Sequence, residues 1–228
     1  MWKSDKARRI VMILVKPSFE LIMWSLGALE LIELAGRTCY KSEDKITPES
    51  SEELCRKIIK RGHLSVIEHA TATVKFVVDR GVSHELVRHR LCAFSQESTR
   101  YCNYKGGVTF VIPSWEEKME EGKYHYDKPR PNFRDASTRL WFKCMLSAEI
   151  WYLELLKDGW TPQEARSVLS NSLKTEIVVT ANFREWRHIF SQRCSSAAHP
   201  QMREVMIPLR DKFRELFPVI FDDCTEGE

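Results

Sequence analysis

Short runs of apolar and β-branched residues predict where this chain forms strands. Residues 10–15 are continuously apolar, as in a buried strand, and residues 70–78 read ATATVKFVV, which is rich in β-branched side chains. The turn signal Asp79-Arg80-Gly81 follows the second run. Two shorter strands are predicted at residues 109–112, which Pro113 stops, and at residues 176–180.

Apolar residues that recur every three or four positions predict the helices. The longest such segment is residues 134–157, whose stripe includes Leu140, Leu146 and Leu153 and which Gly159 ends. We expect this segment to be the main core helix. The other predicted helices span residues 48–61, 83–91, 161–169, 183–192 and 201–217, the last with Pro208 as a candidate kink or break.

The order of these elements indicates the fold class. Helices and strands mix without the regular strand-helix-strand alternation of a parallel sheet, which favours an α+β fold. Residues 116–131 are polar and contain Gly122 and two prolines, so we predict a loop or mobile insertion there. With 228 residues and 43% hydrophobic content, the chain can close one core. We therefore expect a single domain over residues 1–228, with a central, mostly antiparallel sheet flanked by helices.

The net charge and the cysteine content limit which partners this protein is expected to bind and which cellular compartment it is expected to occupy. The net charge of +3 is too small to indicate, by itself, a protein that wraps a polyanion. Seven cysteines without a C-x-x-C pair fit a reducing cytoplasm. The basic N-terminus resembles a signal peptide only briefly, because Lys16 and Pro17 end the apolar run. Two glutamates interrupt the next apolar stretch, residues 21–34, so we expect a soluble protein without a membrane span.

The chemically richest segment is residues 83–104, with the sequence SHELVRHRLCAFSQESTRYCNY. It holds three arginines, two histidines and three aromatic residues. One interpretation is a solvated basic helix end followed by a polar turn. The other is a site for an anionic ligand, since planar guanidinium groups near hydroxyls and backbone amides bind phosphate bidentately.

Spacing argues against two other kinds of site. His84-Glu85 resembles the start of the zinc motif H-E-x-x-H, but Arg88 stands where the second histidine belongs. His89 would lie about 140° around a helix from His84, so the two could not share one metal ion, and we expect no metal site. Neither G-x-G-x-x-G nor the Walker lysine motif occurs, so a flavin or nicotinamide would be held by scattered side chains.

One pattern within this segment is specific. Arg88-His89-Arg90, followed after seven residues by Ser98 and then by Thr99-Arg100-Tyr101, resembles the signature of the flavin-dependent thymidylate synthases. The resemblance extends, in the family's order, along most of the chain. Its further blocks are Gly62-His63, Glu68-His69, residues 164–169, Asn182-Phe183-Arg184 and Gln192-Arg193.

The resemblance implies an enzyme that converts dUMP to dTMP, with 5,10-methylenetetrahydrofolate as the one-carbon donor and FAD relaying a hydride from NADPH. It also implies a cytoplasmic homotetramer with shared active sites that acts on small molecules, with neither nucleic acid nor a membrane as partner. Ordinary thymidylate synthases instead add the cysteine of a Pro-Cys-His site to C6 of the uracil. This sequence has no Pro-Cys-His. The resemblance assigns the activation of the pyrimidine to Arg193, for which the alternative role is a surface salt bridge.

The resemblance also assigns the binding residues. Those expected to bind or frame dUMP are Glu85, Arg88, Gln96, Glu97, Ser98, Thr99, Arg100, Arg166 and Arg193. Those expected to contact FAD are Ser65, Arg88, His89, Arg90, Gln96, Asn182, Arg184 and His188. Asn182 has the alternative role of a helix cap, and Ser65 that of a turn hydroxyl. The sequence departs from that of some relatives at Ser95 and Gln96 and around His199.

The same segment leaves one alternative function open. Arginines interleaved with Phe94, Tyr101 and Tyr104 would suit a module that binds RNA or a single strand, because aromatic rings stack on bases. The near-neutral net charge argues against this alternative, since such binding rests largely on phosphate contacts.

Overall fold

A computed structural model describes residues 11–125 and 133–224 of the chain. The chain divides into two compact units, each assembled from three segments. The first unit takes its described residues from Met1–Ser18, Val77–Leu86 and Gln96–Ile177, and the second from Phe19–Phe76, Val87–Ser95 and Val178–Glu228. The single domain over residues 1–228 stays a prediction. Ile10 of the first predicted strand and residues 126–131 of the predicted loop lie outside the described residues.

The secondary structure of the described residues is as follows. The strands are β1 (Val11–Val15), β2 (Ser18–Trp24), β3 (Thr71–Asp79), β4 (Cys92–Gln96), β5 (Thr109–Val111), β6 (Gly122–His125) and β7 (Lys174–Asn182). The α-helices are α1 (Ala28–Thr38), α2 (Ser50–Lys60), α3 (Arg80–Leu86), α4 (Ala136–Lys157), α5 (Pro162–Ala165), α6 (Phe183–Arg193), α7 (Pro200–Leu216) and α8 (Pro218–Phe221). Short 3-10 helices lie at Glu43–Lys45, Leu64–His69 and Arg166–Val168.

In the first unit, β1 is the middle strand of a three-stranded sheet with the order β5-β1-β6. It pairs in parallel with β5, where Ile13 lies opposite Thr109, and antiparallel with β6, where Ile13 lies opposite Lys123. Gly107, just before β5, has a φ of +124°, and a Cβ there would come within 2.3 Å of the Val11 carbonyl oxygen. This close approach therefore requires glycine.

Helix α4 supplies much of the core of the first unit. It begins after Asp135, whose side chain accepts a hydrogen bond from the backbone N–H of Thr138 as an N-cap. Leu140, predicted to lie in the apolar stripe, is instead 62% exposed. The buried side chains of this core include Met12, Leu14, Val108, Phe110, Phe142, Met145, Leu146 and Tyr152.

The second sheet has the strand order β2-β3-β7-β4. Most of its residues belong to the second unit, whereas Ser18, Gln96, residues 77–79 of β3 and residues 174–177 of β7 belong to the first. Strands β3 and β7 are antiparallel, because Phe183 N–H bonds to the Ala70 carbonyl while Arg80 N–H bonds to the Leu173 carbonyl. Burial alternates along both strands, which is the period of a strand with one covered face.

In the second unit, α6 is fixed by a buried hydrogen bond and by aromatic packing. Trp186 donates from Nε1 to the Ala72 carbonyl oxygen of β3 at 3.1 Å. The aromatic cluster joins α6 to α7 and α8 with ring centroids between 4.9 and 6.5 Å apart. Its members are Phe183, Trp186, Phe190, Phe213, Phe217 and Phe221. These contacts hold the helix that carries His188 and Arg193.

The α+β class is confirmed, with an antiparallel sheet flanked by helices. The strands of the described residues form two sheets, where the sequence predicted one central sheet. The predicted strands and most of the predicted helices are present within a few residues of their expected bounds. Within residues 11–125 and 133–224, no helix combines the length and apolar character that crossing a bilayer requires.

Three further local predictions are wrong in whole or in part. The helix predicted over residues 83–91 ends at Leu86, and the side chains that continued its apolar period, Val87 and Leu91, are 42% and 75% exposed. Without burial of those side chains, nothing in their packing favours further helical turns. The predicted loop contains β6, which pairs with β1. Pro208 lies inside α7 without ending it.

Candidate active site

In the first unit, the segment after β4 forms a tight turn around Ser98. The backbone N–H groups of Tyr101 and Cys102 both bond to the Ser98 carbonyl oxygen, at 3.2 and 2.9 Å. The Ser98 hydroxyl accepts a hydrogen bond from the Arg100 backbone N–H at 3.3 Å. Arg100 itself is exposed, with its guanidinium 5.4 Å from the centre of the Tyr101 ring. The turn thus presents a hydroxyl and an exposed guanidinium from positions two residues apart.

The structure brings Arg166 to the same turn. Its Nη1 donates to the Thr99 hydroxyl at 2.9 Å, although the two residues lie 67 positions apart in the sequence. Arg166 is the first residue of the 3-10 helix that follows α5. Three predicted nucleotide-binding side chains, Ser98, Thr99 and Arg166, therefore lie on one local structure in the first unit.

Glu97, immediately before this turn, is held by three polar neighbours. Lys174 Nζ donates to Glu97 Oε2 at 2.9 Å, and Tyr104 OH donates to Glu97 Oε1 at 2.9 Å. The backbone N–H of Glu97 also donates to the Glu176 carbonyl oxygen at 2.8 Å. Burial opposes the charge of Lys174, but its hydrogen bonds to Glu176 and Glu97 outweigh this effect and raise its pKa. Both carboxylate oxygens of Glu97 are thus occupied by partners in the first unit.

Gln96 and Glu85 also belong to the first unit. Gln96 Nε2 donates to the Ser83 hydroxyl at 2.8 Å and to the Thr175 hydroxyl at 3.2 Å. The NH₂ group of Gln96 therefore donates two hydrogen bonds within the first unit. Glu85 lies on α3 and is partly buried.

In the second unit, the Arg88-His89-Arg90 triplet lies in the turn between α3 and β4. Arg88 and Arg90 are exposed, whereas His89 is 5% exposed. The turn therefore points its two guanidinium groups toward solvent and its imidazole into the protein.

The imidazole of His89 contacts three residues of α6. Arg193 donates from Nε to His89 Nε2 at 3.0 Å, and Glu185 Oε1 lies 3.5 Å from His89 Nδ1. The ring of His188 lies edge-on at a centroid distance of 5.8 Å. Burial lowers the pKa of His89 to about 4, with further contributions from the charges of Arg193 and His188. His89 is therefore neutral at physiological pH.

A cavity of about 650 Å³ opens beside this cluster in the second unit. Among the residues that line it, Asn182 accepts a hydrogen bond from the Glu185 backbone N–H at 2.9 Å, so Asn182 is the N-cap of α6. Arg184 forms an ion pair with Glu68 at 2.6 Å. The lining residues are Leu64, Glu68, Leu91, Asn182, Arg184, Glu185, Arg187, His188 and Ser191.

Ser65, which the family resemblance assigns to FAD, and His199, where the sequence departs from some relatives, are not among the residues that line this cavity. Ser65 is exposed on the 3-10 helix Leu64–His69 and lines a second cavity, of about 340 Å³, together with Arg37, Lys57 and Arg61. His199 accepts the Gln201 backbone N–H at Nδ1 as the N-cap of α7. His199 thus has a structural role of its own.

Sequence reasoning missed Glu185, Lys174 and the contact of Tyr104 with Glu97. Glu185 stands three residues after the cap Asn182, so the sequence suggested no more than an ordinary first-turn acid. The pairing of Lys174 with Glu97 spans 77 residues, and no local pattern encodes a contact at that separation.

Comparisons with known proteins show the family to which this chain belongs. The pattern of a family described as thymidylate synthase complementing protein matches residues 20–219. A flavin-dependent thymidylate synthase from Corynebacterium efficiens is 36% identical over 207 residues, covering 86% of this chain and 80% of that protein. One from Mycobacteroides abscessus is 36% identical, covering 89% and 83%, and one from Geobacter sulfurreducens is 31% identical, covering 86% and 82%.

A solved structure supports the fold. The crystal structure of a UMP/dUMP methylase from Streptomyces cacaoi, bound with 5-Br UMP, superimposes with a TM-score of 0.73. It covers 92% of this chain and 95% of its own, at 23% identity. At this identity the similarity concerns the fold.

Proposed function

Since this chain belongs to the flavin-dependent thymidylate synthase family, we propose that it methylates dUMP to dTMP with FAD as cofactor, 5,10-methylenetetrahydrofolate as one-carbon donor and NADPH as reductant. The observation that carries the proposal is the ordered match over residues 20–219, which includes the signature and Arg193. We extend it to a cytoplasmic homotetramer with shared active sites, as the family resemblance implies, with no nucleic acid or membrane as partner.

The chemistry of the second unit fits a flavin dinucleotide. A cavity of about 650 Å³ lies within the usual range for cofactor sites, and its lining offers amide, guanidinium and imidazole groups. Arg88 and Arg90 add two exposed guanidinium groups suited to a diphosphate. We assign FAD to Arg88, His89, Arg90, Asn182, Arg184 and His188, with Ser65 and Gln96 as further contacts. When bound, FAD supplies the hydride-transfer chemistry that no side chain provides.

The turn after β4 suits a nucleotide monophosphate. A phosphate dianion is recognised by guanidinium forks and hydroxyls, which Arg100, Arg166 and Ser98 offer in the first unit. Thr99 orients Arg166 through its hydroxyl, and Glu97 is rigidly placed by Lys174 and Tyr104. Glu85, Arg88 and Gln96 complete the proposed dUMP set.

Arg193 is the proposed catalytic residue. Methylation requires C5 of the uracil to act as a nucleophile, and negative charge then develops on N3 and the neighbouring carbonyl. A guanidinium held against that edge stabilises the charge electrostatically. Arg193 is partly exposed at the end of α6, with its Nε fixed by His89. In its alternative role Arg193 would form a surface salt bridge, whereas its Nε donates to the neutral imidazole of His89.

Three of the seven cysteines are poorly suited to the thiol-addition route. Cys194, next to Arg193, is 0% exposed. Burial raises the pKa of Cys55 and of Cys92 to about 12, so that neither is a thiolate near neutral pH. We therefore propose that the pyrimidine is activated without an enzyme cysteine.

The function is tested with the purified protein reconstituted with FAD. We expect flavin absorbance in the visible region, a change in that spectrum on adding dUMP, and NADPH oxidation coupled to dTMP when the folate donor is present. Absence of flavin binding would overturn the proposal. Tight binding of oligonucleotides with a steep salt dependence, in place of dTMP formation, would favour the single-strand-binding alternative.

A further inference from the structure

Three buried or half-buried groups form a chain that ends at Arg193. Glu185 Oε1 lies 3.5 Å from His89 Nδ1, and His89 Nε2 lies 3.0 Å from the Nε of Arg193. Glu185 and His89 are 6% and 5% exposed. Glu185 and Arg193 both belong to α6, whereas His89 comes from the turn that carries the signature triplet. The imidazole thus bridges the first and last turns of one helix.

The donor pattern fixes the protonation state of the imidazole. A guanidinium nitrogen donates hydrogen bonds and never accepts them, so His89 Nε2 must carry a lone pair. The single ring proton of the neutral imidazole is then on Nδ1, where it faces the carboxylate of Glu185. Nε2 of His89 therefore faces a donor, Arg193, and Nδ1 faces an acceptor, Glu185. In other proteins, too, the hydrogen bond at one ring nitrogen sets the tautomer of a histidine.

The same pattern argues against a metal ion in this cluster. His89, Glu185 and His188 bring possible ligand atoms within 4.8 Å of one another. A metal ion between them would need the lone pair of His89 Nδ1, because Nε2 already accepts from Arg193. Both ring nitrogens would then act as acceptors, which requires an imidazolate next to a guanidinium. A metal-ligating histidine ordinarily donates from its second nitrogen, the reverse of this arrangement.

We propose that Glu185 and His89 are positioning residues that hold the guanidinium of Arg193 in its working orientation. The inference rests on the proposed function, since it gives Arg193 a task that depends on orientation. An arginine side chain has several freely rotating bonds, and a hydrogen bond at Nε restrains the plane of the guanidinium. Preorganised donors of this kind cost no reorganisation when charge develops.

The inference also separates the roles of the signature triplet. Arg88 and Arg90 are exposed and suited to phosphate, whereas His89 faces inward toward α6. The middle residue of the triplet therefore acts through Arg193, in addition to any contact with the flavin.

The test compares two amide replacements of similar polarity, His89→Gln and His89→Asn. The glutamine amide reaches the place of Nε2 and can accept from Arg193, whereas the shorter asparagine ends near Nδ1. Each variant is reconstituted with FAD, and kcat is expressed per bound flavin from the visible absorbance. We expect His89→Asn to lose kcat by about 10–100-fold with a KM for dUMP close to wild type, as for other outer-shell partners, and His89→Gln to recover most of that loss. His84→Leu, at an exposed histidine of α3, is the matched control.

The outcomes distinguish this inference from the proposed function. If the wild type forms no dTMP, or if Arg193→Ala retains full activity, the proposed role of Arg193 fails and the inference fails with it. If Arg193→Ala is inactive while His89→Asn keeps the wild-type kcat, the proposed function stands and the positioning inference is wrong. Equal losses in the glutamine and asparagine variants at full flavin occupancy would also overturn it.

Two further measurements keep the inference testable. Should His89→Asn not fold, His89→Gln alone must still give kcat within about tenfold of wild type, and a larger loss at full flavin occupancy counts against an acceptor role. In addition, chelator-treated wild-type protein is titrated with Zn²⁺. Absence of stoichiometric binding supports the proton arrangement, whereas tight binding that His89→Asn abolishes would overturn it.

Discussion

At the residue scale, adjacent positions in this chain have sharply different surroundings. His89 is buried between two exposed arginines, and Cys194 is buried directly after the partly exposed Arg193. Sequence proximity to the proposed catalytic residue, Arg193, therefore says little about chemical access. The same applies to Glu149, which is fully buried on α4 and accepts a hydrogen bond from the Val108 N–H at Oε1 while its Oε2 has no partner among the described residues.

The first prediction concerns Arg193 and Cys194. Arg193→Ala should lower kcat by about 10²–10³-fold, as removal of one preorganised donor does in other enzymes, while FAD remains bound. Cys194→Ala should keep most of the activity, because the buried thiol does not reach substrate. Steady-state dTMP formation and flavin absorbance measure both. If Cys194→Ala were the inactive variant, the cysteine-free route would be wrong.

A second prediction concerns the pH dependence of stability through Glu149. Burial raises the pKa of Glu149 to about 7 in the folded protein, compared with 4.5 for an unperturbed glutamate. Between these values the folded state holds a proton that the unfolded state has released, so stability falls as pH rises from 4.5 to 7 and stays low above. This pKa shift corresponds to a decrease of about 3 kcal/mol in the free energy of unfolding.

Glu149→Gln should remove this pH dependence, since an amide keeps the acceptor for Val108 and does not titrate. Urea unfolding at pH 5 and pH 8 measures the effect. The variant should gain stability relative to wild type at pH 8 and gain little at pH 5. Parallel pH profiles for the two proteins would contradict the assignment.

At the element scale, the sequence predicted the strands, but it did not predict the turn that holds the Arg88-His89-Arg90 triplet. Residues 70–78 and 176–180 have β-branched side chains and alternate burial, so a local pattern matched the tertiary environment. The sequence predicts a helix through the triplet, over residues 83–91, yet α3 ends at Leu86, and Val87 and Leu91 are exposed. No glycine or proline marks the end of α3 after Leu86, so only packing decides where it stops.

The candidate site shows the same limit. The signature residues were found because they are close in sequence, whereas the partners that orient them are distant. Arg193 lies 104 residues from His89, and Lys174 lies 77 residues from Glu97. Such contacts depend on which strands and helices become neighbours, which single-sequence patterns do not specify.

The N-cap of α6 gives a prediction at this scale. Asn182 caps the helix through its side-chain oxygen and is also a proposed FAD contact. Asn182→Asp should retain the cap and the thermal stability of the flavin-free protein but weaken FAD binding, because a carboxylate repels the diphosphate. Asn182→Ala should lose both and reduce stability by about 0.5–2 kcal/mol. Thermal unfolding without flavin and FAD titration separate the two roles. Equal FAD affinity in the aspartate variant and wild type would contradict the flavin contact.

At the scale of the whole molecule, the second unit exposes a group of apolar side chains on β2, α1 and the turn between them. Met23 is 66% exposed, Leu26 is 89% exposed and Leu34 is 49% exposed. Contiguous exposed apolar patches mark surfaces that bury against another chain, and these three side chains are candidates for such a patch. They are consistent with the homotetramer that we propose from the family resemblance.

The corresponding prediction concerns assembly. Light scattering should give a mass about four times the 26.7 kDa of one chain. The double variant Met23→Glu, Leu34→Glu should shift the protein toward smaller species at micromolar concentration, because buried charge at an interface is costly. Glu52→Lys, at an exposed position of α2, should leave the mass unchanged. A monomeric wild type would contradict the proposed assembly.

The burial of Cys194 beside Arg193 bears on how such an enzyme could be inhibited. Electrophilic warheads need an accessible, ionised sulfur to form a covalent adduct, and this thiol is 0% exposed. An inhibitor that binds Arg193 would instead present a planar anion, with two acceptor atoms spaced to bond both nitrogens of a guanidinium group. Such an inhibitor would bind Arg193 reversibly through ionic hydrogen bonds, whereas synthases that use a cysteine nucleophile are inhibited through a covalent bond to sulfur. This difference in binding would make the inhibitor selective for this enzyme.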